Sequence, residues 1–420
     1  MSGPGAARSV AEIGIVGAGT MGAGIALSAA QAGYVVRLVD KSADALGRGL
    51  QRIEALIAGQ LEKGRISAET AGQVRARVSA TGDMRALATA DLVIEAVFED
   101  LAVKQAVFAE LATVARAGAV LATNTSTIDV DAIAAASGRA ADCVGMHFFS
   151  PAHVMRLLEV VRGRETAADV LATAIAVGQR MGKVAVVVGN CFGFVGNRML
   201  YAYGREKEFL MLEGASPAQV DRALEAFGMA MGPNAVGDLA GLDIGYHARR
   251  AWSERPADPR FYRVADALVE AGRLGHKAGL GFYRYTSGQR RGHPDPAVDE
   301  LIVREAAALG VERRAIEDDE IVSRCVHALV CEGARLLEEG IASSAADIDA
   351  IWCNGYGFPR ERGGPMAYAD AMGLPAVVDT LDRYAGRWGT AYWAPNALLR
   401  GLAARHAGFA TRPDPGPSEG

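Results

Sequence analysis

The sequence has few of the features that would reveal a partner or a cellular address by themselves. Only 6 of its 44 basic residues are lysine, and acidic residues outnumber basic ones, so the 420-residue chain carries a formal net charge of −5. Binding to nucleic-acid phosphates requires a basic surface, so we predict no nucleic-acid partner. We interpret the excess of arginine over lysine as the compositional bias of a bacterial genome.

Cysteine is also scarce. The five cysteines include no Cys-x-x-Cys pair, which indicates a reducing compartment and gives no metal-site signature. No apolar run reaches the length that crosses a bilayer. The first eleven residues lack the apolar core of a secretory signal, and the final four match no peroxisomal or ER address. These absences predict a cytoplasmic protein without membrane insertion or metal.

The first half of the chain alternates short apolar runs with amphipathic helical stretches such as Ala43–Lys63 and Val103–Ala115. This alternation is typical of an α/β domain with a parallel sheet. The predicted strands are Glu12–Val16, Val35–Val39, Leu92–Glu95, Val120–Thr123, Cys143–His147, Leu157–Val161 and Val184–Val188.

After Gly189 the pattern becomes helical and contains a weak internal repeat. Leu-Met-Leu-Glu-Gly at 210–214 is echoed by Leu-Leu-Glu-Glu-Gly at 336–340, and two shorter matches follow in the same order. Chance similarity between two alanine- and leucine-rich helices is the alternative to duplication. The ordered matches favour duplication. We predict an α/β domain at 1–189, helical domains at 190–285 and 297–405, a linker at 286–296 and a disordered tail at 406–420.

A glycine-rich segment follows the first predicted strand. Gly17, Gly19 and Gly22 form a G-x-G-x-x-G pattern before a helix, and Asp40 ends the next strand. In this context the glycines allow a tight turn, close approach of a pyrophosphate and close helix–strand packing. A carboxylate at Asp40 can bind both ribose hydroxyls and repels a 2′-phosphate, which favours NAD over NADP. An FAD site and a structural turn with an incidental aspartate are the alternatives.

Three later segments contain polar residues that are candidates for the catalytic site. Ser126 comes after the strand Val120–Thr123, at the edge of the sheet where ligands bind. His147 ends another strand, and a turn at Pro151 would bring Glu159 back beside it. Asn197 lies where the helical region begins. Ser126 and Asn197 have structural alternatives as turn and helix-cap residues, and His147 as an ordinary hydrogen-bonded histidine. An unpaired carboxylate in an apolar strand is costly, so Glu159 is harder to explain structurally.

These segments occur in the order seen in the L-3-hydroxyacyl-CoA dehydrogenase family, which the chain resembles over roughly residues 10–405. The sequences His-Phe-Phe-Ser-Pro at 147–151 and Gly-Phe-Val-Gly-Asn at 193–197 are most similar to the dehydrogenase half of peroxisomal-type multifunctional β-oxidation enzymes. Because only sixteen residues precede Gly17, we expect a stand-alone dehydrogenase without a hydratase part. The resemblance implies a Rossmann-type NAD-binding domain followed by two all-α, duplicated C-terminal domains.

The resemblance also implies residue roles and an activity, the NAD-dependent and reversible oxidation of (S)-3-hydroxyacyl-CoA to 3-oxoacyl-CoA. His147 would be the general base with Glu159 as its partner, and Ser126 and Asn197 would hold the substrate. Imidazole suits the removal of an alcohol proton, and a carboxylate on its second nitrogen fixes the tautomer. The implied NAD site comprises Gly17, Gly19, Thr20, Met21, Gly22, Asp40, Glu99, Lys104 and Asn124. For Glu99 and Lys104, the alternative is a solvated helix start.

Two rival functions remain open from the sequence. A β-hydroxyacid dehydrogenase of the 3-hydroxyisobutyrate type would need a catalytic lysine near the domain junction, but Asn197-Arg198 occupy that region and Lys207 lies further on. A non-catalytic NAD-binding relative would be expected to lose Ser126, His147 or Glu159, and all three are present.

The predicted duplication bears on assembly. Single-copy members of the family dimerise through the helical domain, so a second copy on the same chain would take the place of the dimer partner. We therefore predict a monomer that binds an acyl-CoA substrate. A separate enoyl-CoA hydratase or thiolase is the expected docking partner.

Overall fold

The computed structural model describes residues 5–286, 289 and 291–411. The described chain forms two compact units. The first comprises Met1–Val195 with Gly340–Ser343, and the second comprises Gly196–Glu339 with Ser344–Gly420. Among the described residues, no helix is long and apolar enough to cross a membrane.

The first unit is built on an eight-stranded sheet with the order β3-β2-β1-β4-β5-β6-β7-β8. All neighbouring strands are parallel except β6 and β7, which run antiparallel. The strands are β1 Glu12–Val16, β2 Val35–Val39, β3 Val78–Thr81, β4 Leu92–Glu95, β5 Val120–Thr123, β6 Cys143–Phe148, β7 Leu157–Arg162 and β8 Val184–Gly189.

Helices cover both faces of this sheet, as expected for a largely parallel sheet whose central strands are mainly apolar. Helices α1–α3 and α6 pack against one face, and α4 and α5 pack against the other. The helices are α1 Thr20–Gln31, α2 Ala43–Glu62, α3 Ala68–Arg77, α4 Leu101–Val114, α5 Val130–Ala135 and α6 Ala168–Arg180. The Rossmann-type architecture predicted from the sequence is therefore confirmed.

The seven predicted strands all exist, with ends within one residue of the predicted ones. The prediction missed β3 at the edge of the sheet, because its four residues are half-exposed and lack an apolar run. The sheet is also mixed rather than wholly parallel, since the turn after β6 reverses the chain into β7. That reversal places His147 directly opposite Glu159 in the strand register.

The second unit is almost entirely helical. A small antiparallel pair, β9 Tyr283–Arg284 and β10 His293–Pro294, lies within it and falls partly in the predicted linker. The helices are α7 Gly196–Glu213, α8 Pro217–Phe227, α9 Pro233–Ala240, α10 Leu242–Ala251, α11 Arg263–Glu270, α12 Pro296–Ala308, α13 Asp318–Glu338, α14 Ala345–Gly355, α15 Pro365–Met372, α16 Leu374–Trp388, α17 Thr390–Trp393 and α18 Ala397–Ala404.

Equivalent hydrogen bonds recur in the two halves of this unit. Asp221 on α8 accepts from the first backbone N–H groups of α9, at Asn234 and Ala235, and Asp349 on α14 accepts from Met366 and Ala367 of α15. A second pair of bonds follows the same pattern. Asp238 accepts from the backbone of Phe282 and Tyr283, and Asp370 accepts from the backbone of Phe409 and Ala410. Three-dimensional structure thus extends the weak sequence repeat.

The two longest helices of the copies, α7 and α13, pack together through reciprocal ion pairs. Arg198 of α7 contacts Glu332 and Glu339, while Arg324 of α13 contacts Glu206 and Glu213. Each residue and its counterpart lie 126 positions apart in the chain. Such an exchange of equivalent contacts is what a twofold axis produces between two identical subunits.

The packing of two segments does not follow the predicted domain boundaries. Helix α12, which the prediction assigns to the second copy, packs against α7 and α11 of the first copy. Of the predicted disordered tail, Phe409–Thr411 form a turn of 3₁₀ helix with Phe409 buried. Residues 412–420 lie outside the described part of the chain.

Candidate active site

The glycine-rich turn lies where β1 ends and α1 begins. Gly17 has a φ of +103°, and a Cβ there would lie 2.6 Å from the carbonyl oxygen of Ala96 on the loop after β4. A Cβ on Gly22 would lie 1.8 Å from the oxygen of Gly17. Both positions therefore require glycine. Nothing lies within 4 Å of a Cβ placed on Gly19, so this part of the turn is open to a ligand.

The same turn has the features of a pyrophosphate and ribose site. Helix α1 begins at Thr20 and has no side-chain cap at its N-terminus. Its second residue, Met21, is half-buried. The strand order reverses between β1 and β4, the position at which open α/β sheets bind ligands. Asp40 accepts hydrogen bonds from the backbone of Ala18 and Ser42, both 2.9 Å long. These residues fit a dinucleotide, since the helix start favours phosphates and Asp40 retains lone pairs for hydroxyls.

His147 and Glu159 form a buried pair at the carboxyl edge of the sheet. Nδ1 of His147 lies 2.8 Å from Oε2 of Glu159. The histidine is 5% exposed and the glutamate is fully buried. The rings of Phe149 and Phe194 pack against the imidazole, with centroids 4.3 and 5.7 Å away. The carboxylate accepts from Nδ1, so Nε2 is the nitrogen with a lone pair that can accept a proton.

Asn124 helps to hold the end of the His147 strand. It follows β5, and its side-chain oxygen accepts a hydrogen bond of 2.8 Å from the backbone of Phe148. The structure thus assigns this residue a link between the two neighbouring strands. Its predicted contact with the cofactor stays a prediction.

Ser126 is held by Glu99. One oxygen of this glutamate accepts from the backbone of Ser126 at 2.7 Å and from its hydroxyl at 3.1 Å, and the hydroxyl of Thr125 donates to the same oxygen. Burial alone would raise the pKa of Glu99, but the nearby charge of Lys104 and these hydrogen bonds keep the pKa below its ordinary value. Glu99 is therefore ionised at neutral pH and orients the Ser126 loop.

Lys104 is fully buried between two carboxylates. Its Nζ lies 2.8 Å from Glu95 and 3.2 Å from Glu99. Glu95 is also fully buried and accepts from the hydroxyl of Thr123. Sequence reasoning assigned no role to Glu95, although a carboxylate at the end of an apolar strand requires a partner. The lysine links the end of β4 to the loop that holds Ser126, and its direct contact with a cofactor stays a prediction.

Asn197 belongs to the second unit. It is the second residue of α7, and the hydroxyl of Tyr356 donates to its side-chain oxygen at 2.8 Å. Lys207, further along the same helix, is almost completely buried and its Nζ bonds Glu208 and Asn234 at 2.9 Å. This lysine is therefore fixed within the helical unit and is poorly placed to act as a catalytic base. The described residues contain no group of three or more His, Cys, Asp or Glu side chains that could hold a metal.

Comparison with known proteins identifies the family. The model for the 3-hydroxyacyl-CoA dehydrogenase NAD-binding domain matches residues 12–191, and the model for the C-terminal domain of the same enzymes matches residues 193–285 and again 321–411. The chain belongs to the 3-hydroxyacyl-CoA dehydrogenase family. The repeated match to one C-terminal model also agrees with the duplication seen in the helices.

Individual members of the 3-hydroxyacyl-CoA dehydrogenase family share most of this chain. The peroxisomal bifunctional enzyme of Cavia porcellus is 43% identical over 90% of the chain and 54% of its own length. The fatty acid oxidation complex subunit alpha of Pseudomonas syringae is 38% identical over 96% of the chain and 56% of its own length. The chain thus spans about half the length of these relatives.

A solved 3-hydroxybutyryl-CoA dehydrogenase of Escherichia coli K12 matches with a TM-score of 0.81 and 28% identity. The match covers 95% of this chain and 99% of that one. The two chains are therefore similar in fold along nearly their whole lengths.

Proposed function

We propose that the protein catalyses the reversible, NAD-dependent oxidation of (S)-3-hydroxyacyl-CoA to 3-oxoacyl-CoA, as in fatty-acid β-oxidation. The buried His147–Glu159 pair, 2.8 Å apart, carries this proposal. The pair supplies an oriented base at the carboxyl edge of the sheet, and the Gly17–Gly22 turn lies at the same edge. The family membership supports the same reaction, and the E. coli relative acts on a substrate of this class.

The proposed mechanism follows from the hydrogen bond between Nδ1 of His147 and Glu159, which leaves Nε2 to act as the base. Glu159 holds the proton of Nδ1, so Nε2 of His147 accepts the proton of the substrate's 3-hydroxyl group. The positive charge that forms on the imidazole is balanced by the buried carboxylate. The Gly17–Gly22 turn and Asp40 would hold NAD⁺, which would accept the hydride when bound.

Two side chains are proposed to hold the substrate. The bond from the backbone N–H of Ser126 to Glu99 keeps this loop in place, while the Ser126 hydroxyl turns from that carboxylate and donates to the reacting oxygen of the bound substrate. The Asn197 amide donates to the thioester carbonyl. Oriented donors of this kind contribute roughly 2–4 kcal/mol each in a transition state. Glu99 and Lys104 support the Ser126 side of this arrangement.

Replacement of the base tests the proposal. His147→Gln introduces an amide of similar reach in place of the imidazole and removes the basic nitrogen, so we expect kcat for acetoacetyl-CoA reduction to fall by about 10²–10⁴-fold. His293→Gln, on the exposed β10 strand, is the matched control and should leave kcat unchanged. Near-normal activity of His147→Gln would disprove the proposal.

The rival functions make different predictions. A dehydrogenase of the 3-hydroxyisobutyrate type would depend on a lysine, but Lys207 is enclosed by Glu208 and Asn234 and lies over the ring of Phe282. A non-catalytic protein would bind NAD without turnover. Assays of 3-hydroxyacyl-CoAs from C4 to C16 beside 3-hydroxyisobutyrate distinguish all three functions and also measure the chain-length preference.

We further propose a cytoplasmic location in a bacterium, a monomeric state and docking to a separate enoyl-CoA hydratase or thiolase. The five free cysteines agree with a reducing compartment. A hydratase would supply the 3-hydroxyacyl substrate and a thiolase would consume the 3-oxo product. Co-purification of either enzyme with the tagged chain from the source cells is the test of docking, and its absence after cross-linking would contradict it.

A further inference from the structure

A tyrosine from the second helical copy contacts the residue that is proposed to hold the substrate thioester. The hydroxyl of Tyr356, which follows α14, donates to the side-chain oxygen of Asn197 at 2.8 Å. The Tyr356 ring is stacked on Trp352, with a centroid distance of 4.8 Å and an angle of 25° between the planes. Trp352 is fully buried, so the second copy holds the tyrosine in a fixed place.

The start of α7 is shaped to admit this tyrosine. A Cβ on Gly196 would lie 2.4 Å from the Tyr356 hydroxyl oxygen and 2.5 Å from its ring. Any larger residue would therefore displace the ring from Asn197. The next residue, Arg198, is paired with Glu332 and Glu339 of α13, which fixes the backbone on the other side of Asn197.

From these contacts we propose that Tyr356 is a positioning residue for the dehydrogenase reaction. Its hydroxyl holds the oxygen of the Asn197 amide, so the amide nitrogen faces away from Tyr356 and is oriented to donate to the thioester carbonyl. Loss of this bond removes the donor that favours this orientation over the flipped one, in which the amide oxygen would face and repel the carbonyl oxygen of the substrate. The inference rests on the proposed role of Asn197, and it gives the second copy a part in catalysis without a site of its own.

The second copy contains an internal control for this contact. Ser323 of α13 is the counterpart of Asn197, 126 positions further along the chain. Its hydroxyl also bonds a tyrosine, Tyr384, at 2.7 Å. Tyr384→Phe removes the hydrogen bond to Ser323, which is similar to the bond between Tyr356 and Asn197. Ser323, however, has no proposed contact with the substrate.

The experiment measures kcat/KM for acetoacetyl-CoA in Tyr356→Phe, Asn197→Ala and the double variant of the full chain. Phenylalanine keeps the stack on Trp352 and removes only the donor. We expect kcat/KM to fall about tenfold, through the same parameter, kcat or KM, that Asn197→Ala changes. In the Asn197→Ala background, Tyr356→Phe should have no further effect. The affinity for NAD and the melting temperature should stay unchanged, as should the activity of Tyr384→Phe.

A second substitution approaches the contact from the other side. Gly196→Ala favours the helix but displaces the Tyr356 ring, so it should lower kcat/KM as Tyr356→Phe does. The inference is overturned if Tyr356→Phe is fully active while Asn197→Ala is impaired, or if the two losses are independent. A fully active Asn197→Ala would instead disprove the proposed role of Asn197, and with it the basis of the inference.

Discussion

The proposed role of Glu159 rests on the oxygen that accepts from Nδ1 of His147. Glu159→Gln keeps the shape of the side chain but removes the negative charge that balances the imidazolium formed during oxidation. We expect kcat to fall by about 10²-fold or more, with little change in the Kd for NAD, because the lost charge is the one that balances the imidazolium of the base. Steady-state kinetics measure kcat, and the change in the protein's tryptophan fluorescence on titration with NAD measures the Kd. A variant that loses NAD affinity but keeps kcat would remove the proposed role.

Asp40 determines the choice between the two nicotinamide cofactors in our interpretation. Asp40→Asn keeps one oxygen for the backbone of Ala18 but loses the charge that binds ribose hydroxyls and repels a 2′-phosphate. Loss of a charged hydrogen bond, worth about 1.5–3 kcal/mol, should raise KM for NAD by roughly 10–100-fold and narrow the preference over NADP. Asp83→Asn, at an exposed position after β3, is the control and should change neither KM. An unchanged cofactor ratio in Asp40→Asn would contradict this role.

Lys183 links stability to pH. Its Nζ donates to the carbonyl oxygens of Ala152 and Met155, in the segment between β6 and β7, and burial lowers the pKa of the lysine to about 8. The folded state therefore loses this proton near pH 8, whereas the unfolded chain keeps it to about pH 10.5. Below pH 8 the buried charge costs stability, and the cost disappears as the pH rises to 10.5.

Denaturation of wild type and Lys183→Met at pH 7.5 and pH 10 tests this linkage. The difference in free energy of unfolding should shift in favour of the wild type at the higher pH, by up to about 3 kcal/mol. Lys63→Met, at an exposed position after α2, should show no such shift. A difference that is the same at both pH values would contradict the titration of Lys183.

Sequence reasoning at the scale of residues succeeded where a residue has a local signal. Gly17, Gly22 and the His147–Glu159 pair could be predicted because their spacing and flanking strands restrict the geometry. The Glu95–Lys104–Glu99 cluster could not, since it depends on how deeply α4 packs against the sheet. Tyr356 was missed for a similar reason, because 159 residues separate it from Asn197.

At the scale of elements, the strands were predictable because each is a short apolar run bounded by turn residues. The directions of the strands were less predictable than their positions. Only the expected turn at Pro151 indicated that β7 runs antiparallel to β6. The repeat was visible in three short matches, two of which contain the paired aspartates and the starts of α9 and α15, but the cap hydrogen bonds between them emerge only from the structure. Asp221 is separated from its partner Asn234 by 13 positions, and Asp349 is separated from Met366 by 17. Because the two spacings differ, no fixed spacing in the sequence reveals these bonds.

The start of α15 provides a test of this repeated packing. Gly364 has a φ of +121°, and a Cβ there would lie 2.3 Å from the carboxylate of Asp349. Gly364→Ala should therefore destabilise the protein by about 2–3 kcal/mol through strain and a displaced cap. Gly386→Ala, inside α16 with no atom within 4 Å of the added carbon, should be neutral or stabilising by up to about 1 kcal/mol. Equal melting temperatures for the two variants would show that Asp349 does not require this close approach.

At the scale of the whole molecule, the reciprocal ion pairs between α7 and α13 bear on assembly. Arg198 and Arg324 exchange equivalent contacts across this interface, as two subunits would across a twofold axis. We therefore expect the second copy to cover the surface through which, as the resemblance implies, single-copy members of the family dimerise. Arg324 and Glu206 are almost completely buried, so this interface is too closely packed to open for a partner at low cost.

We therefore predict that the chain remains a monomer of 43.9 kDa over a wide range of concentrations in light scattering. Addition of NAD or acyl-CoA should not change this mass, because neither ligand is proposed to open the contact between α7 and α13. A tight dimer whose hydrogen-exchange protection maps to residues 190–285 would contradict the prediction. It would mean that the first copy retains a free association surface, and that the second copy serves α7 and Asn197 without replacing a subunit.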